Sequence, residues 1–285
     1  MKDRKDSYID LHTHSTQSDG SMSPDELVRH AFEAGIQAIA LTDHDSMRGV
    51  RTAIEQGRSL GIEVIAGVEI SVSYATEMHM LGYFFSDNYS LLETVLEELR
   101  IKRDQRNRRI IERLNELGID IALSDAESLA QEGMVGRPHI AQAMVNKGYA
   151  GSVKEVFDKY LSFRGLAYFK KEKLTPEEGI QEITKAGGIP VLAHPIYLEL
   201  DHVGLDNLLE RLAGAGLKGI EAYYTYNTPE QTDILLKLAE KHGLAITGGT
   251  DFHGSYKPDI EIGSGLGELK VPYRLLAELK KVAVE

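Results

Sequence analysis

The chain has no cysteine among its 285 residues. That excludes disulfides, thiolate metal sites and a cysteine nucleophile, so any metal must be held by imidazole and carboxylate. Long apolar runs are also missing. No segment approaches the ~20 residues of a membrane-spanning helix, and the opening MKDRKDSYID is charged where a secretory leader would be apolar. The expectation is a cytoplasmic protein with no membrane partner. Positive charge is scarce as well: 32 Lys and Arg stand against 44 Asp and Glu, a net charge of −12. A protein that coats long duplex nucleic acid must neutralise many phosphates, which this balance disfavours, whereas a small phosphate ester remains compatible. Carboxylates that serve cations are counted in such a sum without their metals.

From residue 8 short apolar runs alternate with helical stretches, the pattern of repeated β-α units around a parallel sheet. Strands are expected at Tyr8 to Leu11, Ala38 to Leu41, Glu63 to Ala66, Ile189 to Ala193, Gly219 to Ala222 and Ala245 to Thr247. Three helices announce themselves through capping boxes with proline in the first turn, at Ser23-Pro24-Asp25-Glu26, Thr175-Pro176-Glu177-Glu178 and Thr228-Pro229-Glu230-Gln231. Between about Tyr89 and Leu161 the rhythm breaks into purely helical spacing. The expected organisation is a barrel over 1–86 and 166–285 with an inserted helical subdomain over 87–165. Lys102, Arg106, Arg109 and Arg113 recur there at helical spacing, as a solvated face or as a basic stripe for a ligand.

The chemistry gathers where strands end. Side chains two apart on a strand share a face, so His12 and His14 converge. Asp19 follows in the loop, where Asp19-Gly20 is equally a turn signal. His44 comes next, flanked by Asp43 and Asp45, which are placed to orient its ring. Glu69 lies in the apolar run Gly67 to Ile70, where an unpaired charge is costly and a cation is called for. His79 sits in the apolar stretch Met78 to Phe85, as a ligand or as a satisfied core histidine. His194 ends Val191 to Pro195, and Asp251 and His253 share a face after the last strand. With His139 of Arg137-Pro138-His139, these motifs hold seven of the ten histidines, a concentration that chance placement explains poorly.

Together His12-x-His14, Thr42-Asp43-His44, Gly67-Val68-Glu69, His79, Ala193-His194-Pro195 and Asp251-x-His253 resemble the polymerase and histidinol phosphatase (PHP) superfamily, over almost the whole chain. The resemblance implies an α/β fold, a distorted seven-stranded (β/α) barrel with a helical insertion, and three divalent cations drawn from manganese, zinc or iron. It assigns the first to His12, His14, Glu69 and Asp251, the second to Asp19, His44 and His253, and the third to Glu69, His79 and His194, with Glu69 as a bridge. Asp19 replaces a histidine found in some relatives, and an oxygen ligand favours a harder ion such as manganese over zinc. The insertion and Gly136 to Ala141 are more similar to members acting on 3′,5′-nucleoside bisphosphates or trimming short RNA from its 5′ end than to histidinol phosphatases.

The implied reaction is hydrolysis of a phosphate monoester or 5′-terminal phosphodiester by water that the metals activate. Arg137 is expected to hold phosphate through its planar fork, assisted by His139 and by Arg106 of the basic helix acting as a lid, although Pro138 also reads as a plain helix entry. His194 and Asp45 are the candidates, by position, for the leaving-group acid. Tyr197, Tyr223, Tyr224 and Tyr226 are placed either to stack on a base or to pack at the rim. Two rivals remain: a C–N hydrolase, which commonly adds a lysine between its metals, and a metal-binding module without catalysis. No lysine lies at the expected strand ends, and every expected ligand position is filled.

Overall fold

The computed structural model describes residues 8–86, 89–130, 135–170 and 173–283. Two compact units emerge, Met1–Val95 with Lys173–Glu285, and Leu96–Glu172. The boundaries fall at 95/96 and 172/173, later than 87 and 165, and one continuous helix, Ser90–Glu116, runs through the first of them.

The first unit is built on one sheet. Its strands are β1 (Tyr8–Thr13), β2 (Ala38–Leu41), β3 (Glu63–Val72), β4 (Met78–Phe84), β5 (Ile189–Leu192), β6 (Gly219–Tyr224), β7 (Ala245–Gly249) and β8 (Val271–Pro272). Their order is β7-β6-β5-β4-β3-β2-β1-β8. β1, β2 and β3 pair in parallel, as do β5, β6 and β7; β4 runs antiparallel to both its neighbours. Two backbone bonds join the ends of the sequence of seven: Asp251 N–H donates to the His12 carbonyl and His14 N–H to the Phe252 carbonyl, each at 2.9 Å. β8 adds a two-residue antiparallel pairing at the start of β1.

This closure depends on Gly249. A Cβ there would lie 2.4 Å from both the backbone nitrogen and the Cβ of His12, inside any normal contact. Gly249→Ala is therefore expected to cost about 3 kcal/mol, at the upper end of ordinary overpacking, and a lowered midpoint of urea unfolding with unchanged slope would show it.

The lower barrel is apolar, with Ile9, Leu11, Ile65, Leu81, Tyr83 and Val191 packed against Leu275, Leu276 and Leu279 of the helix Arg274–Val282. Polar residues begin where this core ends. Along β3, positions 65, 67 and 69 lead from buried Ile65 up to Glu69, and along β4 positions 83, 81 and 79 lead from Tyr83 to His79. β1 needs a further device, since Ile9 and Leu11 belong to the core while His12 and His14 have the opposite parity. The pairing with β2 slips by one residue between Asp10 and Thr13, a bulge that re-aims the strand end.

The helices start as their sequences require. Thr175 and Thr228 accept from the backbone N–H of Glu178 and Gln231 at 3.2 Å each, and the latter side chains accept in return from the cap N–H groups at 2.8 Å. At Ser23, Glu26 accepts from the Ser23 N–H and hydroxyl at 2.9 Å each. The second unit has a helical core of its own, including Ile110, Leu114, Ile140, Met144, Val156 and Leu161. Among the described residues no helix is long and apolar enough to cross a membrane.

Candidate metal centre

Glu69 is the middle of the site. It is 1% exposed, and five imidazole nitrogens surround its carboxylate. Oε2 faces His12 Nε2 at 3.2 Å, His14 Nε2 at 3.2 Å and His44 Nδ1 at 3.1 Å, and Oε1 faces His79 Nδ1 and His194 Nε2 at 2.8 Å each. Asp251 Oδ1 lies 3.2 Å from His14 Nε2 and 3.4 Å from His253 Nδ1. Asp19 Oδ1 lies 3.3 Å from His253 Nε2, and its Oδ2 is 3.8 Å from His44 Nε2. Among the described residues four sets of ligand atoms are close enough to share an ion: His14, Asp19, His44 and His253; His12, His14 and Asp251; His12, Glu69 and His194; His44, Glu69 and His79.

Secondary structure delivers these side chains under strain. Asp45, His194 and Asp251 have φ of +47°, +23° and +58°, a region that non-glycine residues occupy at a cost and chiefly where function demands it. Past the end of β2, Asp45 N–H donates to the Glu69 carbonyl at 2.9 Å, which carries the pairing with β3 onward and sets His44 beside Glu69.

Outside the imidazoles lies a ring of buried acids. Glu221 accepts from two directions, with Oε1 3.0 Å from His12 Nδ1 and Oε2 2.8 Å from the His194 backbone N–H. It thereby fixes which nitrogen His12 turns toward Glu69. Asp43 accepts from Ser15 N–H at 2.7 Å and from the hydroxyls of Ser15 and Ser18 at 2.6 Å, shaping the loop after β1. Asp10 accepts from Thr250 N–H and hydroxyl and from Gly263 N–H at 2.9, 2.5 and 2.8 Å. Burial outweighs these bonds and raises the pKa of both Asp10 and Asp43.

The inner groups titrate differently. Burial pushes His14 down, but its contacts with Asp251 and Glu69 prevail and lift it to about 9. His12 is likewise raised well above the ordinary value, Glu221 and Glu69 overcoming its burial. For His44 burial wins, and it falls to about 3. Burial opposes ionisation of Glu69, yet His44, His79 and His12 hold it well below the usual carboxylate range. Such a cluster of bases around acids demands positive charge.

Protons alone serve it poorly. His12 Nε2, His14 Nε2, Asp19 Oδ1, His44 Nδ1, Glu69 Oε2 and His194 Nδ1 are all buried without a hydrogen-bond partner, and three of these nitrogens, on His12, His14 and His44, lie 3.1 to 3.2 Å from Glu69 Oε2. Buried polar atoms are ordinarily satisfied, so lone pairs left converging fit divalent cations. The nitrogen and oxygen donor set, free of sulfur, suits manganese, iron or zinc.

Not every expected residue joins the cluster. Asp45 belongs to none of the four sets, and its Oδ1 accepts from Ser71 N–H at 3.1 Å, which makes it a brace on β3. Arg106, Arg137 and His139 fall in the second unit. There Arg137 donates to the Leu161 carbonyl at 2.9 Å, and His139 Nδ1 accepts from Gly136 N–H at 3.0 Å. The basic stripe is mostly a solvated face, Lys102, Arg109 and Arg113 being exposed and Arg106 alone buried at 7%; Arg109 lies 4.4 Å over the Phe169 ring and Arg113 donates to the Leu166 carbonyl. Among the tyrosines, Tyr223 packs on the barrel core, whereas Tyr197, Tyr224 and Tyr226 make an aromatic path beginning at the His194 ring, 5.0 Å from Tyr197.

Two residues that contact the cluster are not evident from the sequence. Glu221 carries the same signal as Glu69, an acid inside an apolar strand, but has no histidine neighbour to draw attention to it. Lys257, six residues past Asp251, brings Nζ to 2.7 Å from Asp251 Oδ2, so a lysine does stand beside the cluster, though on the outer side of its carboxylate.

The chain is similar to known proteins. The chain is 36% identical over 260 residues to the 5′-3′ exoribonuclease Rnm of Escherichia coli (strain K12), covering 90% of this chain and 88% of that one. It is 30% identical over 257 residues to a 3′,5′-nucleoside bisphosphate phosphatase of Chromobacterium violaceum, with 90% of each chain covered. The solved structure of an amidohydrolase from Chromobacterium violaceum with bound sulfate and no metal superposes with a TM-score of 0.81 at 29% identity, covering 96% of both chains. The model of the PHP domain matches residues 10–257, and the chain therefore belongs to the PHP domain family.

Proposed function

We propose that this protein is a metal-dependent phosphoesterase that hydrolyses a phosphate monoester or 5′-terminal phosphodiester of a nucleotide, either a 3′,5′-nucleoside bisphosphate or a short RNA. The observation that carries the reading is one buried carboxylate, Glu69, ringed by five imidazole nitrogens within 3.2 Å, with lone pairs left unsatisfied. Three divalent cations, manganese, zinc or iron, are proposed to occupy the cluster around Glu69, in the assignment that the family resemblance implies. His12, His14, Glu69 and Asp251 hold the first, Asp19, His44 and His253 the second, and Glu69, His79 and His194 the third. Bound there, such ions supply a nucleophile from water near neutral pH and neutralise charge on the phosphoryl oxygens.

The chain's own groups do the rest. Glu221 locks His12 and the backbone of His194, so those ligands need no reorganisation when substrate arrives. His194 serves as a ligand, since its Nε2 is turned onto Glu69, and Asp45 is left in a structural role. In the second unit burial and the neighbouring charges of Arg137 and Arg103 push the Arg106 guanidinium down to about 10, and its Nε has no partner. Like charges gathered out of water favour an anion, which supports Arg106 and Arg137, assisted by His139, as the phosphate-recognising group.

The test is to incubate metal-loaded protein with adenosine 3′,5′-bisphosphate, a 5′-phosphorylated RNA pentamer and histidinol phosphate, measuring release of phosphate, mononucleotide and ammonia. Preference for either nucleotide substrate is expected. Faster turnover of histidinol phosphate would move the assignment to small-molecule phosphatases, ammonia release to a C–N hydrolase, and tight metal binding without turnover to a non-catalytic module. Arg106→Ala is expected to raise KM for the pentamer about tenfold while kcat holds, the loss of one charge-assisted contact; an unchanged KM would remove Arg106 from substrate recognition.

A further inference from the structure

Asp251 is held asymmetrically. Its Oδ1 faces the imidazoles of His14 and His253, while its Oδ2 receives both the Lys257 ammonium at 2.7 Å and the Tyr224 hydroxyl at 2.9 Å. Tyr224 is tied in turn to the Tyr197 hydroxyl at 3.1 Å. Either donor alone would fix the orientation of the carboxylate, so the second invites a further explanation. The two differ in access. Tyr224 is 2% exposed, whereas a third of the Lys257 side chain meets solvent.

The position of Lys257 is itself built. The turn Gly254–Tyr256 starts at a glycine with φ of +64°, where a Cβ would meet the Ser21 hydroxyl at 2.1 Å. Ser255 N–H donates to that hydroxyl at 2.9 Å, and Lys257 N–H returns to the Gly254 carbonyl at 3.0 Å. Both ends of the turn are anchored, so the lysine stem leaves from a fixed point. An ammonium has three donors. One is spent on Asp251, on the far side of that carboxylate from the imidazoles, and its exposed side remains open to an arriving ligand.

We propose that Lys257 is a substrate-binding residue of the metal centre, donating to a non-bridging oxygen of the phosphate that is hydrolysed while its other donor stays on Asp251. This deepens the phosphoesterase reading and rests on it. A net charge of −12 repels a phosphate dianion, and a fixed cation beside the ions offsets that where the phosphate must dock. The recognition is for a phosphate group as such, so it is shared by mononucleotide and RNA substrates.

The probe is inorganic phosphate, titrated by calorimetry into manganese-loaded protein, with manganese affinity measured separately by electron paramagnetic resonance. Lys257→Met is expected to weaken phosphate binding about 10- to 100-fold, the loss of one charge-assisted hydrogen bond, and to raise KM more than it lowers kcat. Manganese affinity should change by less than about threefold, because Tyr224 still holds Asp251. Lys257→Arg should restore most of the phosphate affinity. Phosphate binding unaffected in Lys257→Met, or manganese affinity falling as far as phosphate affinity, would overturn the proposal, the second outcome reducing Lys257 to a prop for Asp251. Phosphate binding needs no turnover, so a protein that binds phosphate through Lys257 yet cleaves no ester would count against the phosphoesterase reading alone.

Discussion

Glu69→Gln is expected to lower kcat/KM by about a thousandfold or more, since ions that stabilise a phosphoryl transition state contribute several kcal/mol and each 1.4 kcal/mol is a factor of ten. The substitution keeps the shape of the side chain and its place on β3. It removes one negative charge and replaces an oxygen that faces imidazole nitrogens by an N–H₂ group. Nitrogens at 2.8 to 3.2 Å that must keep their lone pairs for cations would then meet donors instead. Metal content measured after dialysis should fall along with activity, and circular dichroism should remain that of the parent. Full retention of bound metal would show that Glu69 is no ligand. Glu221→Gln is the control: it touches His12 Nδ1 and the His194 backbone, and a partner of that kind ordinarily accounts for about 10- to 100-fold in metal affinity.

The contrast between those two glutamates shows what a sequence reveals. Both are fully buried acids in apolar strands, and burial of an unpaired charge is costly in either place. Glu69 stands out because its segment belongs to a series in which histidines and acids close successive strands. Glu221 faces the opposite way in information, since its hydrogen bonds span 209 and 27 residues of sequence and leave no local pattern. His79 was ambiguous for another reason. On a strand antiparallel to both neighbours the start, not the end, reaches the mouth of the barrel, so a rule that looks after each strand passes over it. The slip in register at β1 hides equally well, because alternation alone would put His12 and Leu11 on opposite faces. Helix starts were legible, since a capping box is satisfied within four residues. The burial of Arg106 within an otherwise exposed basic stripe was not legible, because spacing tells which residues share a face and not what covers each of them.

Without metal, the protein should be most stable near pH 6.5, and manganese should change that profile. His14 is raised to about 9 in the fold, so the native state binds its proton more tightly than the unfolded chain. That stabilisation is complete below about 6.5 and is lost as pH rises toward 9, a difference on the order of 3 kcal/mol. His44 has the opposite sign: with a pKa of about 3 in the fold, it leaves the unfolded chain binding the extra proton between 3 and 6.5, and stability rises with pH across that window. Glu69, Asp251 and Asp19, held well below their ordinary values, add stability that is present above about pH 4.5 and lost on acidification. Cations require the imidazoles in their neutral form, so their binding displaces the His14 proton and strengthens as pH rises. The thermal midpoint of chelator-treated protein should fall between pH 6.5 and 9, while the rise in midpoint produced by a fixed excess of manganese should grow over the same interval. A metal-free midpoint that stays level from 6.5 to 9, together with a manganese increment independent of pH, would mean that His14 and its neighbours are not where cations bind.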